Sequence, residues 1–257
     1  MLRLVEAEAR RQAGLMGVYA VEEIGQFVLF TVGFLVLTGL FQVIARGDLA
    51  GSVVLASAIG FLAWRTADGF MLRTVSTMAD DAAWGTLEQL ILSPISVLES
   101  MAVRGGVVLL LYTVEACLIG LVVFPLLGVW PTLSWSALIV FLVMQMGIWG
   151  VALTLAGLHI VFKQIASVTV AVSTALLFLS GALAPLDSVP WLASLTRILP
   201  LTVGIEMLRD LMVYHTAIPV SDVFWLIGTS ALYVLLGWLV LNWALRTAQR
   251  AGSLAHY

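Results

Sequence analysis

Charged residues are scarce in this chain of 257 residues. They make up 11% of the sequence, whereas hydrophobic residues make up 61%, and the mean hydropathy is +1.08. A soluble domain normally has about 25% charged residues, so this chain has too few of them to cover a surface in water. The composition therefore predicts an integral membrane protein.

Cysteine and lysine each occur once, as Cys117 and Lys163. A single cysteine excludes a disulfide framework within one chain and a cysteine-based metal cluster, and the spacing of the three histidines suggests no metal site. A net charge of −3 argues against a nucleic-acid partner, which requires a basic face. The chain also has no Gly-x-x-x-x-Gly-Lys-Ser/Thr phosphate loop, so we expect no nucleotide hydrolysis and no cofactor in the chain itself.

Long apolar stretches dominate the sequence. A helix needs roughly 20 apolar residues to cross about 30 Å of hydrocarbon. We predict an all-α membrane protein, with one transmembrane domain over residues 1–257 and six spans. The spans run over residues 24–45, 49–76, 101–128, 134–160, 164–186 and 223–245. An even number of spans places both termini on the same side of the membrane.

The basic residues between the spans predict which side that is. With cytoplasmic termini, eight basic residues lie on the inner side and three on the outer side. The inner ones are Arg3, Arg10, Arg11, Arg73, Arg104, Lys163, Arg246 and Arg250, and the outer ones are Arg46, Arg197 and Arg209. Because cytoplasmic loops carry an excess of Lys and Arg, we predict a multi-pass protein of the cell membrane with both termini in the cytoplasm.

The segment before the first span has a helical pattern. Leu2, Val5, Ala9 and Ala13 recur at helical spacing, with charged residues on the other faces. This pattern predicts an N-terminal helix that lies in the inner interface of the membrane. A disordered cytoplasmic tail is the alternative.

The cytoplasmic loop between the second and third spans contains a short amphipathic segment, "AWGTLEQLILSP", at residues 83–94. We predict a capping box between Thr86 and Gln89, and Pro94 ends the segment. A second capping box, between Ser96 and Glu99, begins the third span. The pattern predicts two rigid helices that transmit force or present a fixed face. The alternative is a helix that only rests on lipid headgroups.

Three charged residues lie at membrane depth, where an unpaired charge is costly. Arg65 and Asp68 are three residues apart on the second span, and Glu115 of the third span lies at a similar depth to Arg65. We predict a buried pair of Arg65 and Glu115 that ties the two spans together. The alternatives are a contact for a charged substrate and a conformational latch.

The chain resembles the permeases of type-2 ATP-binding-cassette (ABC-2) exporters. "GTLEQL…SP" in this loop is similar to their coupling helix, and "LPLTVGIEMLR" at residues 199–209 is similar to their segment after the fifth span, with Leu199 at a position where that family usually has Asn. "SGALAPLDSVPWL" at residues 180–192 resembles their outer re-entrant region. The resemblance implies that one short segment contacts the ATPase: Gly85, Thr86, Leu87, Glu88, Gln89 and Leu90.

The resemblance also implies partners. Two permease chains, identical or related, would form the pathway in the lipid bilayer, and two copies of a separate cytoplasmic ATPase would bind ATP and magnesium. An outer gate would include Pro185, Pro200, Glu206 and Arg209. From the residues alone, Glu206, Arg209 and Asp210 predict a short amphipathic helix at the outer surface, and a capped, solvated loop is the alternative.

Three functions remain open at this point. The first is the permease of an ATP-driven exporter, with a hydrophobic drug or lipid-like substrate favoured over a polysaccharide or another polar polymer. The second is an intramembrane enzyme, although Ser180-Gly181 lacks the Gly-x-Ser-Gly context and a buried histidine partner. The third is a membrane scaffold that transports nothing.

Overall fold

The computed structural model describes residue 14 and residues 20–44, 51–92, 96–163, 165–184 and 190–251. The described chain is helical, with short turns and linkers. The helices are α1 (Ala20–Ile44), α2 (Gly51–Ala83), α3 (Thr86–Leu92), α4 (Val97–Leu127), α5 (Trp135–Phe162), α6 (Ala166–Leu179), α7 (Pro190–Thr196), α8 (Pro200–Arg209) and α9 (Val220–Ala251). A π-helical turn, Asp210–Tyr214, continues α8.

Helix α2 forms the centre of the bundle. Most of its length is buried, and α4, α5, α6 and α8 all pack against it. Stacked aromatic rings join it to α1, with the ring centroids of Phe34 and Phe61 4.6 Å apart. This central position explains why the second predicted span contains three charged residues, because its side chains face protein rather than lipid.

Helices α5 and α9 form the most extensive helix–helix contact among the described residues. Gly150 of α5 lies against the backbone of α9 at Tyr233 and Val234, and a methyl group at Gly150 would overlap it. Small residues allow membrane helices to approach closely and gain van der Waals contacts. The outward faces of α1, α4 and α9 remain apolar and exposed, as lipid-facing surfaces require.

Four of the six predicted spans are confirmed as helices that are long and apolar enough to cross a membrane. These helices are α2, α4, α5 and α9. The first predicted span falls on α1, which is apolar over Ile24–Leu40, and the fifth falls on the shorter apolar helix Ala166–Leu179. The fifth span, predicted over residues 164–186, is shorter than expected because α6 ends at Leu179 and a turn follows. At 1.5 Å per residue, its 14 residues extend about 21 Å.

Two predicted elements lie wholly or partly outside the described residues. The N-terminal interfacial helix falls on residues 1–19, of which only residue 14 is described. The re-entrant region at residues 180–192 includes the undescribed residues 185–189, so Pro185 is outside as well. On either side of that gap, the chain forms a turn at residues 180–184 and then α7.

Candidate functional site

The short helix α3 follows α2 after a sharp turn at Trp84 and Gly85. Gly85 adopts a left-handed conformation, with φ of +70°, and its backbone N–H donates to the Ala82 carbonyl. A glycine in this conformation is the usual C-terminal stop of a helix, since it has no Cβ to clash. The turn ends α2 and allows α3 to begin directly at Thr86.

The capping box predicted at Thr86 and Gln89 is wrong. Thr86 is the first residue of α3 rather than the residue before it, so its side chain does not occupy the capping position. Its hydroxyl points back to α2 and lies 3.0 Å from Oδ1 and 3.2 Å from the backbone oxygen of Asp81. Thr86 therefore fastens α3 to the end of α2.

The capping box predicted at the start of the next helix is confirmed. The Ser96 side chain accepts from the backbone N–H of Glu99 at 3.1 Å, and the Glu99 carboxylate accepts from the Ser96 N–H at 3.0 Å. These reciprocal bonds satisfy two backbone donors at the N-terminus of α4. The N-terminus of α4 is thus fixed at Ser96.

A buried support holds α3 against the bundle. The side chain of Leu87 is buried in the hydrophobic core, and the partly buried side chain of Leu90 packs against that core. Asp81 near the end of α2 forms an ion pair with Arg104 of α4 and also contacts Thr86. The Asp81 carboxylate therefore joins α2 to both α3 and α4.

The other face of α3 is free of the bundle. Gln89 and Leu92 are exposed, and the Trp84 side chain beside them is 82% exposed. The side chain of Glu88 lies outside the described residues. An exposed tryptophan and leucine beside a helix that is fastened from behind form a surface suited to a protein partner.

Replacing Gly85 with alanine should strain the turn before α3. Alanine at a φ of +70° costs roughly 1 kcal/mol, and because the space around Gly85 is open, this cost comes from the backbone alone. We expect faster amide hydrogen exchange over residues 86–92. Gly106→Ala is the matched control, since Gly106 lies inside α4 with open space around it, and alanine there should be neutral or slightly stabilising. Equal exchange in both variants would contradict the strained turn.

The second site lies inside the bundle around Arg65. Its Nη2 atom donates to both carboxylate oxygens of Glu115, at 2.8 and 3.0 Å, and lies 3.4 Å from the amide oxygen of Gln26. Arg65 is 1% exposed. The predicted contact between Arg65 and Glu115 is therefore confirmed, and the guanidinium joins α1, α2 and α4.

Two rings and a second carboxylate complete this cluster. The guanidinium carbon of Arg65 lies 4.2 Å from the ring centre of Phe30 and 5.2 Å from that of Tyr112, distances at which cation–π attraction operates. The Asp68 carboxylate lies 3.7 Å from Arg65 Nη1 and accepts a hydrogen bond from Ser173 of α6. The buried charges are thus paired and connect α2 to three other helices.

The segment predicted as an outer-surface helix is instead buried. Arg209 at the end of α8 is 3% exposed and donates to three backbone carbonyls, those of Ala56, Gly181 and Ala182. Pro200 at the start of α8 is buried, and Glu206 is half-buried. The predicted surface location was wrong because α8 packs between α2 and α5. The apolar residues of α8 contact these two helices.

Removing the Arg209 guanidinium should destabilise the junction of α2, α6 and α8. Arg209→Met leaves three carbonyls without this donor, and hydrogen bonds from charged groups contribute about 1.5–3 kcal/mol. We expect a lower thermal unfolding temperature in detergent. Arg250→Met, at an exposed arginine of α9, is the control and should change stability by less than about 0.5 kcal/mol. Matching unfolding temperatures for both variants would rule out this role for Arg209.

Sequence reasoning missed several partners in both sites. Asp81, Gln26 and Ser173 had no predicted role, although each makes a polar contact. The role of Asp81 could have been predicted, because Asp81 before α3 and Arg104 after it have opposite charges and flank one short loop. No sequence pattern predicted the roles of Gln26 and Ser173, because a neutral polar residue in an apolar helix is compatible with many surroundings.

Comparison with known proteins identifies the chain. No curated protein matches it. A family model described as ABC-2 type transporter matches residues 20–213. This range contains α1 to α8 and all but the last residue of the π-helical turn, and therefore both α3 and the Arg65 cluster. Because the match extends over most of its length, the chain belongs to the ABC-2 type transporter family and is a membrane permease.

Proposed function

We propose that this permease is the membrane subunit of an ATP-driven exporter and that α3 is its coupling helix. In this proposal a separate cytoplasmic ATPase binds ATP and magnesium, contacts the exposed face of α3 and moves the spans. ABC-2 permeases generally work with a cytoplasmic ATPase. The chain has no phosphate loop of its own, so the energy has to come from another polypeptide.

The fastening of α3 is the observation that carries this proposal. Leu87 and the contact of Thr86 with Asp81 hold one face, while Trp84 and Leu92 leave the other face open. A force applied to the open face reaches α2 directly and reaches α4 through the Asp81–Arg104 ion pair. A helix held by a flexible linker alone would move without moving the spans.

The Arg65 cluster supports a structural role within the same mechanism. Its ion pair with Glu115 joins α2 and α4, the two long helices that flank α3. We propose that this pair makes the two helices move together when α3 is displaced. Pro185, Pro200, Glu206 and Arg209 remain proposed as parts of an outer gate, with Arg209 holding the gate segment to the bundle.

We further propose that two permease chains, identical or related, form the pathway, and that both termini are cytoplasmic in the cell membrane. The favoured substrate is a hydrophobic drug or lipid-like molecule, because the described helices present mainly apolar surfaces. A polysaccharide or another polar polymer is the competing substrate within the same function.

Co-purification with an ATPase tests the proposal. The permease is expressed with a phosphate-loop ATPase encoded beside it, purified through a tag on the permease and reconstituted in lipid. We expect a complex of two ATPase and two permease chains, with ATP hydrolysis that a panel of apolar and polar substrates stimulates selectively. If no ATPase co-purifies and none is encoded nearby, the exporter proposal fails and a scaffold or an enzyme takes its place.

A further inference from the structure

A cleft separates α4 from α5 inside the bundle. Both helices pack against α2, but they make almost no contact with each other. The gap between them is a cavity of about 490 Å³, within the usual range of small-molecule pockets. Its floor is α2, and the linker between α4 and α5 and the π-helical turn cover one end. We call this cavity the α4–α5 cleft.

Small side chains create the α4–α5 cleft. Its walls include Ala63 of α2, Ala116 and Gly120 of α4, and Ala137 of α5, all of which are buried. At the mouth, Cys117 and Leu138 are exposed. The cleft therefore opens sideways, between two helices that are long and apolar enough to cross the membrane.

The lining offers few polar groups to a ligand, and two of its three hydroxyls direct their protons to carbonyls of their own helices. The Thr66 hydroxyl donates to the Leu62 carbonyl at 3.0 Å, and the Thr113 hydroxyl donates to the Leu109 carbonyl at 2.7 Å. The remaining hydroxyl of the lining belongs to Ser134, which accepts from the Ala137 N–H at the start of α5. The two threonine hydroxyls are thus engaged within their own helices, and Ser134 lies exposed at the start of α5.

The chemistry of the lining selects the occupant. Water is unfavourable in an apolar cavity that offers it few hydrogen-bond partners, and an empty cavity loses van der Waals contacts with its lining. We infer that the α4–α5 cleft binds one acyl chain of a bilayer lipid, which enters between α4 and α5. The inference requires only that the chain lies in a membrane, so it does not depend on transport or on an ATPase.

Photo-crosslinking of the full-length permease in nanodiscs tests this inference. The probe is a phosphatidylcholine with a diazirine at the end of one acyl chain, and mass spectrometry locates the adducts. We expect adducts at Ala63 and Gly120, which are buried and line the cleft, in addition to adducts at exposed positions of α4 such as Leu121. Adducts confined to exposed positions would overturn the inference without affecting the proposed function.

Two matched variants give the second arm of the test. Ala116→Phe fills the cleft, whereas Leu118→Phe enlarges a side chain that is 50% exposed on the outside of the same helix. We expect Ala116→Phe to lose the cleft adducts and Leu118→Phe to retain them. Ala137→Phe fills the cleft from the opposite wall and replaces Ala116→Phe if that variant does not elute as a single species. Cleft adducts that persist in a filled variant would contradict the inference.

Cys117 tests the competing occupant, a second copy of the chain. It is the single cysteine of the sequence and lies at the mouth of the cleft, so oxidation with copper phenanthroline reports on this position alone. We expect no disulfide-linked dimer. If a dimer forms through Cys117 and the cleft adducts are absent, a second chain covers the cleft and the inference is wrong.

Discussion

Replacing Arg65 with methionine should destabilise the permease by about 3–5 kcal/mol. The change leaves the Glu115 carboxylate, 16% exposed, and the Asp68 carboxylate, 7% exposed, without their cationic partner. Removing one member of a buried ion pair costs this much because the other charge stays in a medium of low dielectric constant. The measurement is thermal or denaturant unfolding of the purified chain in detergent or lipid.

A double-mutant cycle separates the ion pair from the packing of Arg65. Arg65→Met combined with Glu115→Met should cost less than the sum of the two single variants, since the double variant leaves fewer unpaired charges. Arg197→Ala is the matched control for the arginine, because its ion pair with Asp222 is partly exposed, and such pairs contribute about 0–1 kcal/mol. If the losses in unfolding free energy are additive, the interaction between Arg65 and Glu115 contributes nothing to stability beyond what each side chain contributes separately.

Glu115→Gln distinguishes a structural tie from a conformational latch. The amide keeps an oxygen that can accept from Arg65 but removes the negative charge. If the pair is a static tie, transport should follow the loss in stability and recover at lower temperature. If folding is intact and transport remains altered at every temperature, the pair breaks and re-forms during the cycle.

Replacing Leu92 with aspartate should uncouple the permease from its ATPase. Leu92 is 85% exposed on α3, so a charge there leaves the bundle intact but should disturb the proposed contact. Central contact residues of protein interfaces contribute about 2 kcal/mol or more, which is about 30-fold in Kd. We expect weaker co-purification of the ATPase and a loss of substrate-stimulated ATP hydrolysis, while membrane insertion remains normal. Glu88→Ala should also weaken stimulated hydrolysis, and Leu90→Asp should do so by loosening α3 from the bundle, because Leu90 is packed against the core.

Leu195→Asp is the matched control for the coupling contact. Leu195 is 65% exposed on α7, which we place on the outer side of the membrane, away from any cytoplasmic ATPase. This variant should insert, bind the ATPase and support hydrolysis like the unmodified chain. If Leu92→Asp and Leu195→Asp both transport normally, α3 is only a connector between α2 and α4.

Periodicity and turn chemistry made part of this structure predictable. The capping box of Ser96 and Glu99 was correct because its bonds join residues three positions apart. The box at Thr86 was wrong because α3 begins at Thr86 itself, so Thr86 is not the capping residue, and its hydroxyl donates to Asp81, also a local neighbour. Local signals therefore located α3 correctly but did not determine which of two nearby partners Thr86 contacts.

The buried position of α8 could not be predicted from its sequence. An amphipathic helix with Glu206 and Arg209 matches a surface location equally well. The structure places Arg209 against the carbonyls of Ala56 and Gly181, which are far from it in sequence. Such carbonyls become available where a helix ends or approaches another helix closely, and no sequence pattern marks them.

The sequence by itself determined that this is a helical membrane protein with a short helix between its second and third predicted spans. Apolar length, low charge and helix-ending residues act locally, and hydrocarbon permits few alternatives to helices. Only the tertiary structure decided what surrounds each charge and each gap. The cluster of Arg65, Glu115 and Gln26 and the open cleft between α4 and α5 both result from how α2 is packed, and packing depends on many distant side chains together.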